Sequence, residues 1–100
     1  MLKIIAKSKI KDGCLDQYFA SVRELVEKSQ AEEGNVSYTV NRLESDPSVV
    51  AFIEVWKDRA AFEYHVKTDH FNGILPSLRD YIEESYPAEF YTEVEYEQIE

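Results

Sequence analysis

The fold is decided by residues 35–66, which read NVSYTVNRLESDPSVVAFIEVWKDRAAFEYHV. Asn35 to Leu43 is rich in Val, Tyr and Thr, residues that favour strands. The segment Ser45-Asp46-Pro47-Ser48 has the composition of a turn, and Val49 to Trp56 is apolar at nearly every position. Because the connection is short, these residues predict an antiparallel hairpin whose second strand is covered on both faces.

The two ends of the chain predict one further strand each. Leu2 to Ile10 alternates apolar and polar side chains, as a half-buried strand does. Ala88 to Tyr96 alternates in the same way and follows Pro87, which is predicted to end the preceding helical region. The sequence therefore predicts four strands in all.

A long helix is predicted between the first strand and the hairpin. It follows the turn Asp12-Gly13, with Asp12 as a candidate N-cap and Gly34 as a C-terminal stop. Its apolar stripe has helical spacing and consists of Leu15, Tyr18, Phe19, Val22, Leu25 and Val26.

A second helical region follows the hairpin in two pieces. Asp58 is predicted to cap a short first piece, and Thr68-Asp69 a second piece that reaches Ile82. Pro76 lies inside the second piece and is predicted to kink or restart it, because proline lacks the donor that a helix interior needs.

The predicted order is β-α-β-β-α-β, which indicates one α+β domain over residues 1–100. Right-handed crossovers make this a ferredoxin-like domain with a four-stranded antiparallel sheet and both helices on one face. The other face would be open to water, yet the strand Val49 to Trp56 is apolar on both sides. We therefore expect a homodimer in which a second copy covers that face.

Composition excludes several classes of partner. The chain has 100 residues and a formal net charge of −9, which argues against nucleic acid and anionic membranes. No apolar run approaches the roughly 20 residues of a membrane-spanning helix, and no leader pattern opens the sequence. Cys14 is the single cysteine. We expect a cytoplasmic protein with no disulfide.

Candidate functional residues cluster around the end of the hairpin. Phe52, Glu54 and Trp56 would project from one face of their strand. His65 and His70, the two histidines of the chain, are suited to exchanging protons near neutral pH. Packing roles for these residues, and a pairing of Glu54 with a lysine or arginine, are the alternatives. A metal site is not expected, because histidines five residues apart do not share a helical face and no third ligand is obvious.

The segment from Glu54 to Phe71 resembles the signature of the antibiotic-biosynthesis-monooxygenase family. The resemblance rests on Glu54-x-Trp56, Asp58, an apolar helix, His65 and Thr68-x-His70-Phe71, and it extends over nearly the whole chain. The family includes small quinol monooxygenases and autoinducer-2-degrading proteins.

The resemblance implies a dimeric α+β barrel with a pocket in each subunit between sheet and helices. It also implies oxidation of a small phenol or quinol by molecular oxygen, without metal or flavin. In that reading His65 and His70 are catalytic, and the aromatic pocket is formed by Glu54, Trp56, Phe52, Phe62 and Phe71. The family's haem-degrading members differ from this chain, which has Lys7, His65 and Leu75 where they carry asparagine, tryptophan and the haem-ligating histidine.

Three functions are compatible with these residues. The first is a cofactor-independent monooxygenase acting on a small aromatic molecule, with a histidine as general base. The second is an isomerase that uses the same histidines on a small carbonyl compound, as the autoinducer-2-type relatives do. The third is a non-catalytic dimer that binds a small ligand or a protein, because a fold does not fix a function.

Overall fold

A computed structural model describes residues 1–96 of the chain. The strands are β1 (Leu2–Ile10), β2 (Asn35–Leu43), β3 (Asp46–Trp56), β4 (Ile82–Ser85) and β5 (Glu89–Thr92). The helices are α1 (Leu15–Gln30), α2 (Arg59–His65) and α3 (Asp69–Leu78), and a 3₁₀ turn, Arg79–Tyr81, joins α3 to β4.

The strands form one antiparallel sheet in the order β2-β3-β1-β4, with β5 also paired to β1. Ile5 lies opposite Ile53 in the β1–β3 pair, and Tyr38 lies opposite Glu54 in the β2–β3 pair. The first and third strands are therefore neighbours, and the predicted ferredoxin-like α+β fold is confirmed.

The last strand differs from the prediction of one continuous strand from Ala88 to Tyr96. Within that range Glu89–Thr92 (β5) is the strand, and an additional short strand, β4, precedes Pro87 and was not predicted. β4 pairs with the end of β1 and β5 with its beginning. The break between them contains Pro87, which cannot donate a hydrogen bond to a ladder. Ile82 belongs to β4 rather than to a helix, because its pairing with Ile10 overrides a spacing that also fits a helix.

The hairpin turn is shorter than predicted. It occupies residues 44–45, so β3 begins at Asp46 and contains Pro47. The Asp46 carboxylate accepts hydrogen bonds from the backbone N–H and the hydroxyl of Ser48 at 3.1 and 2.7 Å. This local bonding occurs beside a register shift, where a proline is tolerated in a strand.

The helix caps agree with the sequence at two of three starts. Asp58 accepts from the backbone N–H of Ala61 at 2.8 Å, and the Thr68 hydroxyl accepts from that of Phe71 at 3.3 Å. Asp12 was the wrong choice for α1, whose N-cap is Cys14, without a side-chain hydrogen bond. Gly13, at φ +80°, makes the turn there, which carries the chain past Asp12 before the helix begins.

The helix ends also depart from the predicted pattern. α1 stops at Gln30, with Ala31 as its C-cap, so Gly34 lies beyond the helix, in the turn before β2. α3 continues two residues past Pro76 to Leu78, and the N–H of Arg79 bonds to the Pro76 carbonyl. This i to i−3 bond gives the end of α3 the tighter 3₁₀ geometry that is frequent at helix ends.

The core lies between the helices and one face of the sheet. α1 contributes Tyr18, Val22 and Leu25, and the sheet contributes Ile4 and Trp56, all buried. No helix within residues 1–96 is long and apolar enough to cross a membrane.

The opposite face of the sheet is open in the single chain. Ile53 is 40% exposed there, and its neighbour Ile5 is half-buried. The apolar second face of β3 is thus present as predicted, while its cover by a second copy stays a prediction.

Candidate active site

Both histidines contact the same carboxylate oxygen. His65 Nδ1 lies 2.6 Å and His70 Nε2 lies 2.8 Å from Oε2 of Glu32. The Glu32 side chain is 6% exposed, against 1% for His65 and 15% for His70. The three groups form a largely buried cluster, here called the His-Glu-His triad, with His70 at its solvent side.

The break between α2 and α3 lets the two histidines converge. His65 is the last residue of α2, and His70 is the second residue of α3. The Thr68 hydroxyl joins the two helices, because it donates to the His65 carbonyl at 2.7 Å and also caps α3. The expectation that residues five apart cannot share a face holds for one continuous helix, and it does not apply across this break.

Glu32 reaches the histidines from the turn that follows α1. Its backbone N–H donates to Ser29 at 3.1 Å, and its carbonyl accepts from Asn35 at 3.0 Å. The turn is also fixed to the end of β3, because the N–H of Lys57 donates to the Gly34 carbonyl at 2.9 Å. Three separate segments therefore hold the triad in place.

His65 is enclosed by aromatic rings. Its ring centroid lies 4.6 Å from that of Trp56, 5.0 Å from Phe71 and 5.4 Å from Tyr38. Burial lowers the pKa of His65, while the hydrogen bond and the charge of Glu32 oppose that effect. Its Nε2 has no hydrogen-bond partner among the described residues.

Glu54 and Trp56 form a second buried polar contact. The indole Nε1–H of Trp56 donates to Oε1 of Glu54 at 2.9 Å, so Glu54 pairs with an indole and not with a lysine or arginine. Glu54 is 6% exposed, and burial raises its pKa to about 7. The bond from Trp56 opposes this rise and the charge of Glu32 adds to it. Near neutral pH this carboxyl can therefore hold or release a proton.

The three predicted phenylalanines occupy different sides of the aromatic cluster. Phe71 packs edge-on against His65, and Phe62 packs edge-on against Trp56 at 6.4 Å. Phe52 contacts Tyr38, with 5.6 Å between ring centroids, and so meets the cluster through that residue. The structure thus brings all seven predicted residues into one region beneath the helices.

Sequence reasoning missed Glu32 and Tyr38 as members of this region. Glu32 belongs to the polar run Glu32-Glu33-Gly34-Asn35, which resembles any solvated helix end, and its partners lie 33 and 38 residues away. Tyr38 carried a weak signal, since it lies on the inward-facing side of β2 opposite Glu54.

An open cleft of about 970 Å³ leads to the triad from solvent. It lies between the end of α1, α2 and the start of α3, and Glu32 and His70 are the triad members that line it. Three cationic side chains stand around it: Lys28, Lys57 and Lys67. A molecule in this cleft could exchange a proton with His70, which Glu32 connects to His65.

Comparison with known proteins places the chain in a family. Residues 1–75 match the family model described as antibiotic biosynthesis monooxygenase. The protein of Bacillus subtilis (strain 168) named "Putative monooxygenase YcnE" is 32% identical over 75 residues, which is 75% of this chain and 79% of that protein.

Solved structures agree with this match. A crystal structure of an antibiotic biosynthesis monooxygenase superposes with a TM-score of 0.88 at 34% identity, covering 95% of this chain and 100% of the other. A conserved protein from Methanosarcina mazei Go1 gives a TM-score of 0.89 at 25% identity, covering 93% and 92%. The chain belongs to the antibiotic biosynthesis monooxygenase family.

Proposed function

We propose that the protein is a monooxygenase that needs no cofactor and oxidises a small electron-rich phenol or quinol with molecular oxygen. The observation that carries this proposal is the His-Glu-His triad at the floor of an open cleft, in a chain of this family. His70 is the proposed general base, because it reaches the cleft, and His65 is its buried partner through Glu32.

The chemistry requires only proton transfers from the protein. His70 takes the phenolic proton, and the phenolate gives one electron to O₂. The two radicals join through a new C–O bond at a hydrogen-bearing ring carbon ortho or para to the oxygen. After protonation this hydroperoxide loses water, as its C–H proton leaves and the O–O bond breaks. A quinone remains, so one phenol and one O₂ give one quinone and one water.

The triad suits repeated proton transfer of this kind. Glu32 accepts from both imidazoles, which stabilises an added positive charge on the pair. The aromatic side chains of Trp56, Phe62 and Phe71 surround His65 and exclude water from its side of the triad. The predicted substrate-binding residues Phe52, Glu54, Trp56, Phe62 and Phe71 do not line this cleft, and we propose that they pack behind the triad and affect a substrate only through it.

The test is oxygen uptake by chelator-treated protein with a panel of hydroquinones, naphthalenediols and dihydroxyanthracenes. His70→Ala is expected to lower kcat by roughly 10²- to 10⁴-fold, the usual range for a general base. Glu63→Gln, an exposed change on α2 outside the cleft lining, is the control and should leave uptake unchanged. Absence of uptake across the panel, or equal uptake by His65→Ala, His70→Ala and the parent protein, contradicts the proposal.

An isomerase acting on a small anionic carbonyl compound is the second candidate. It is favoured by a triad that also supports oxygen-free proton transfer. The three lysines of the cleft could contact a carboxylate or phosphate, although the carboxylates of Glu33, Asp58 and Asp69 line the same cleft and offset their charge. Turnover of a carbonyl substrate under strict exclusion of oxygen would select this function over the first. A protein that turns over neither substrate class is a non-catalytic binding module.

We also propose that the functional unit is a homodimer formed through the open face of the sheet. The support is the apolar centre of that face, where Ile5 and Ile53 lie opposite each other on adjacent strands. Covering this face would add considerable stability to a 100-residue domain, because small domains bury a limited share of their surface.

A further inference from the structure

We propose that Glu32, His65 and His70 form a binding site for a divalent first-row transition metal ion, with Zn²⁺ as the reference ion. The inference goes beyond the proposed function, and it does not require that function to be right. It also revises the expectation that the sequence offers no third ligand beside the two histidines.

The donor set and its geometry support the site. One carboxylate oxygen and one nitrogen from each imidazole lie within 4.8 Å of one another. Two imidazoles and a carboxylate suit Zn²⁺ and other first-row divalent ions, and three protein ligands leave a coordination position open. His70 and Glu32 line the cleft, so an ion has a route from solvent and the open position can face it.

A second observation is that one oxygen of the Glu32 carboxylate accepts no hydrogen bond within residues 1–96. Oε1 of Glu32 is buried and has no hydrogen-bond partner within residues 1–96. Buried polar atoms are nearly always paired, so this oxygen is a candidate ligand whose lone pairs are available. Nε2 of His65 is also unpartnered among the described residues, so it can carry the ring proton when Nδ1, which faces Glu32, binds an ion.

Metal binding requires the three ligand atoms to rearrange. Ligand atoms around a tetrahedral Zn²⁺ lie about 3.3 Å apart. The present N···O distances of 2.6 and 2.8 Å must therefore lengthen by roughly half an ångström, and the widest spacing among the three ligand atoms, up to 4.8 Å, must shorten by up to about 1.5 Å. Glu32 lies in a turn rather than inside a helix, so its side chain can withdraw by that amount without disrupting α2 or α3.

The test is titration of chelator-treated protein with Zn²⁺ against a chromophoric indicator, together with Co²⁺ absorption spectra. One Zn²⁺ per chain is expected, with visible Co²⁺ bands of tetrahedral intensity. His70→Ala and Glu32→Gln should each weaken Zn²⁺ binding by at least the roughly 10- to 100-fold that loss of a supporting group costs. Glu33→Gln, the adjacent acidic residue in the same cleft, is the matched control and should bind Zn²⁺ like the parent protein.

Three results would overturn the site: no stoichiometric binding, equal weakening in Glu32→Gln and Glu33→Gln, or unaltered affinity in His70→Ala. Circular dichroism of each variant ensures that a loss of binding is not a loss of folding, and His70→Ala is the safer variant because His70 is partly exposed. Binding is measured without substrate, so its outcome is independent of oxygen uptake. If both proposals hold, Zn²⁺ should inhibit uptake in the parent protein, since coordination of Nε2 moves the imidazole proton to Nδ1 and leaves His70 no free nitrogen to act as a base.

Discussion

Glu32 determines how the two histidines are held, and this makes it the most informative single residue to change. Its carboxylate accepts from His65 and His70 in a setting where its own side chain is 6% exposed. A neutral amide accepts hydrogen bonds less strongly, and its NH₂ group would face at least one imidazole.

We therefore expect Glu32→Gln to lower the free energy of unfolding by about 1.5–3 kcal/mol, the range for hydrogen bonds that involve a charged group. Urea unfolding at neutral pH measures this loss, with Glu33→Gln as the control. A loss below about 0.5 kcal/mol, typical of surface changes, would show that the carboxylate does not stabilise the folded imidazoles.

Replacing Glu54 is expected to raise the free energy of unfolding, whereas replacing Glu32 is expected to lower it. Burial raises its pKa from the ordinary 4.5 to about 7, so the folded state holds a proton that the unfolded chain has released in this interval. The stability that this group contributes is complete below pH 4.5 and is lost as the pH rises toward 7. Glu54→Gln cannot ionise and still offers an oxygen to the indole of Trp56.

The variant should match the parent protein near pH 4 and exceed it by up to about 3 kcal/mol at pH 8. Urea unfolding followed by Trp56 fluorescence measures the difference at each pH. His65 contributes with the reverse pH dependence, because its lowered pKa costs stability as the pH falls, and comparing variant with parent removes that contribution. A difference that does not vary with pH would contradict the raised pKa.

At the scale of elements, the contact between the Glu32 turn and α2 positions the triad. Gly34 lies so close to Ala61 that a side-chain carbon at position 34 would overlap the Ala61 methyl group. The space is limited by α2 itself, because a methyl group has no rotamer in which to move away. Any larger residue at position 34 must therefore shift the helix that ends in His65.

Gly34→Ala is expected to destabilise the protein by about 1–3 kcal/mol, the usual cost of overpacking. Gly73→Ala is the matched control in α3, where no atom lies within 4 Å of the added carbon. It should stabilise the protein by up to about 1 kcal/mol, because alanine favours a helix over glycine. Thermal unfolding measures the change in stability of both variants. Similar changes in melting temperature for the two would contradict a tight contact at Gly34.

The elements also show what a sequence can and cannot predict here. The hairpin, α1 and the caps Asp58 and Thr68 were predictable, because they depend on periodicity and on side chains that bond within three residues. The division of the last strand into β4 and β5 was not, since it depends on pairing with β1 at both ends.

The candidate site likewise contains residues that could be predicted from the sequence and one that could not. His65, His70, Glu54 and Trp56 were identifiable from residue type and spacing, and the structure places them together. Glu32 was not identifiable, because its role depends on contacts 33 and 38 residues away and its neighbours resemble a solvated turn.

At the scale of the whole molecule, the open face of the sheet makes the homodimer testable. Ile53 lies at the centre of that face and is 40% exposed in the single chain. In the proposed homodimer a lysine there would place a charge between two packed sheets, where its desolvation costs several kcal/mol in each copy.

Ile53→Lys is expected to convert a dimer to a folded monomer, as measured by sedimentation at micromolar concentration. Tyr64→Lys, on the exposed side of α2, is the control and should sediment like the parent protein. A parent protein that sediments as a monomer would contradict the proposed assembly outright.

The β2–β3 hairpin has a practical consequence for these experiments. Asn35 pairs with Trp56 beside the site, whereas Leu43 pairs with Asp46 at the far end, next to the two-residue turn 44–45. Eight residues of strand separate the two ends, or roughly 26 Å. A fluorophore or an affinity tag inserted at that turn would therefore be remote from the triad. The protein could be immobilised or labelled there for binding and oxygen-uptake measurements with its cleft left accessible.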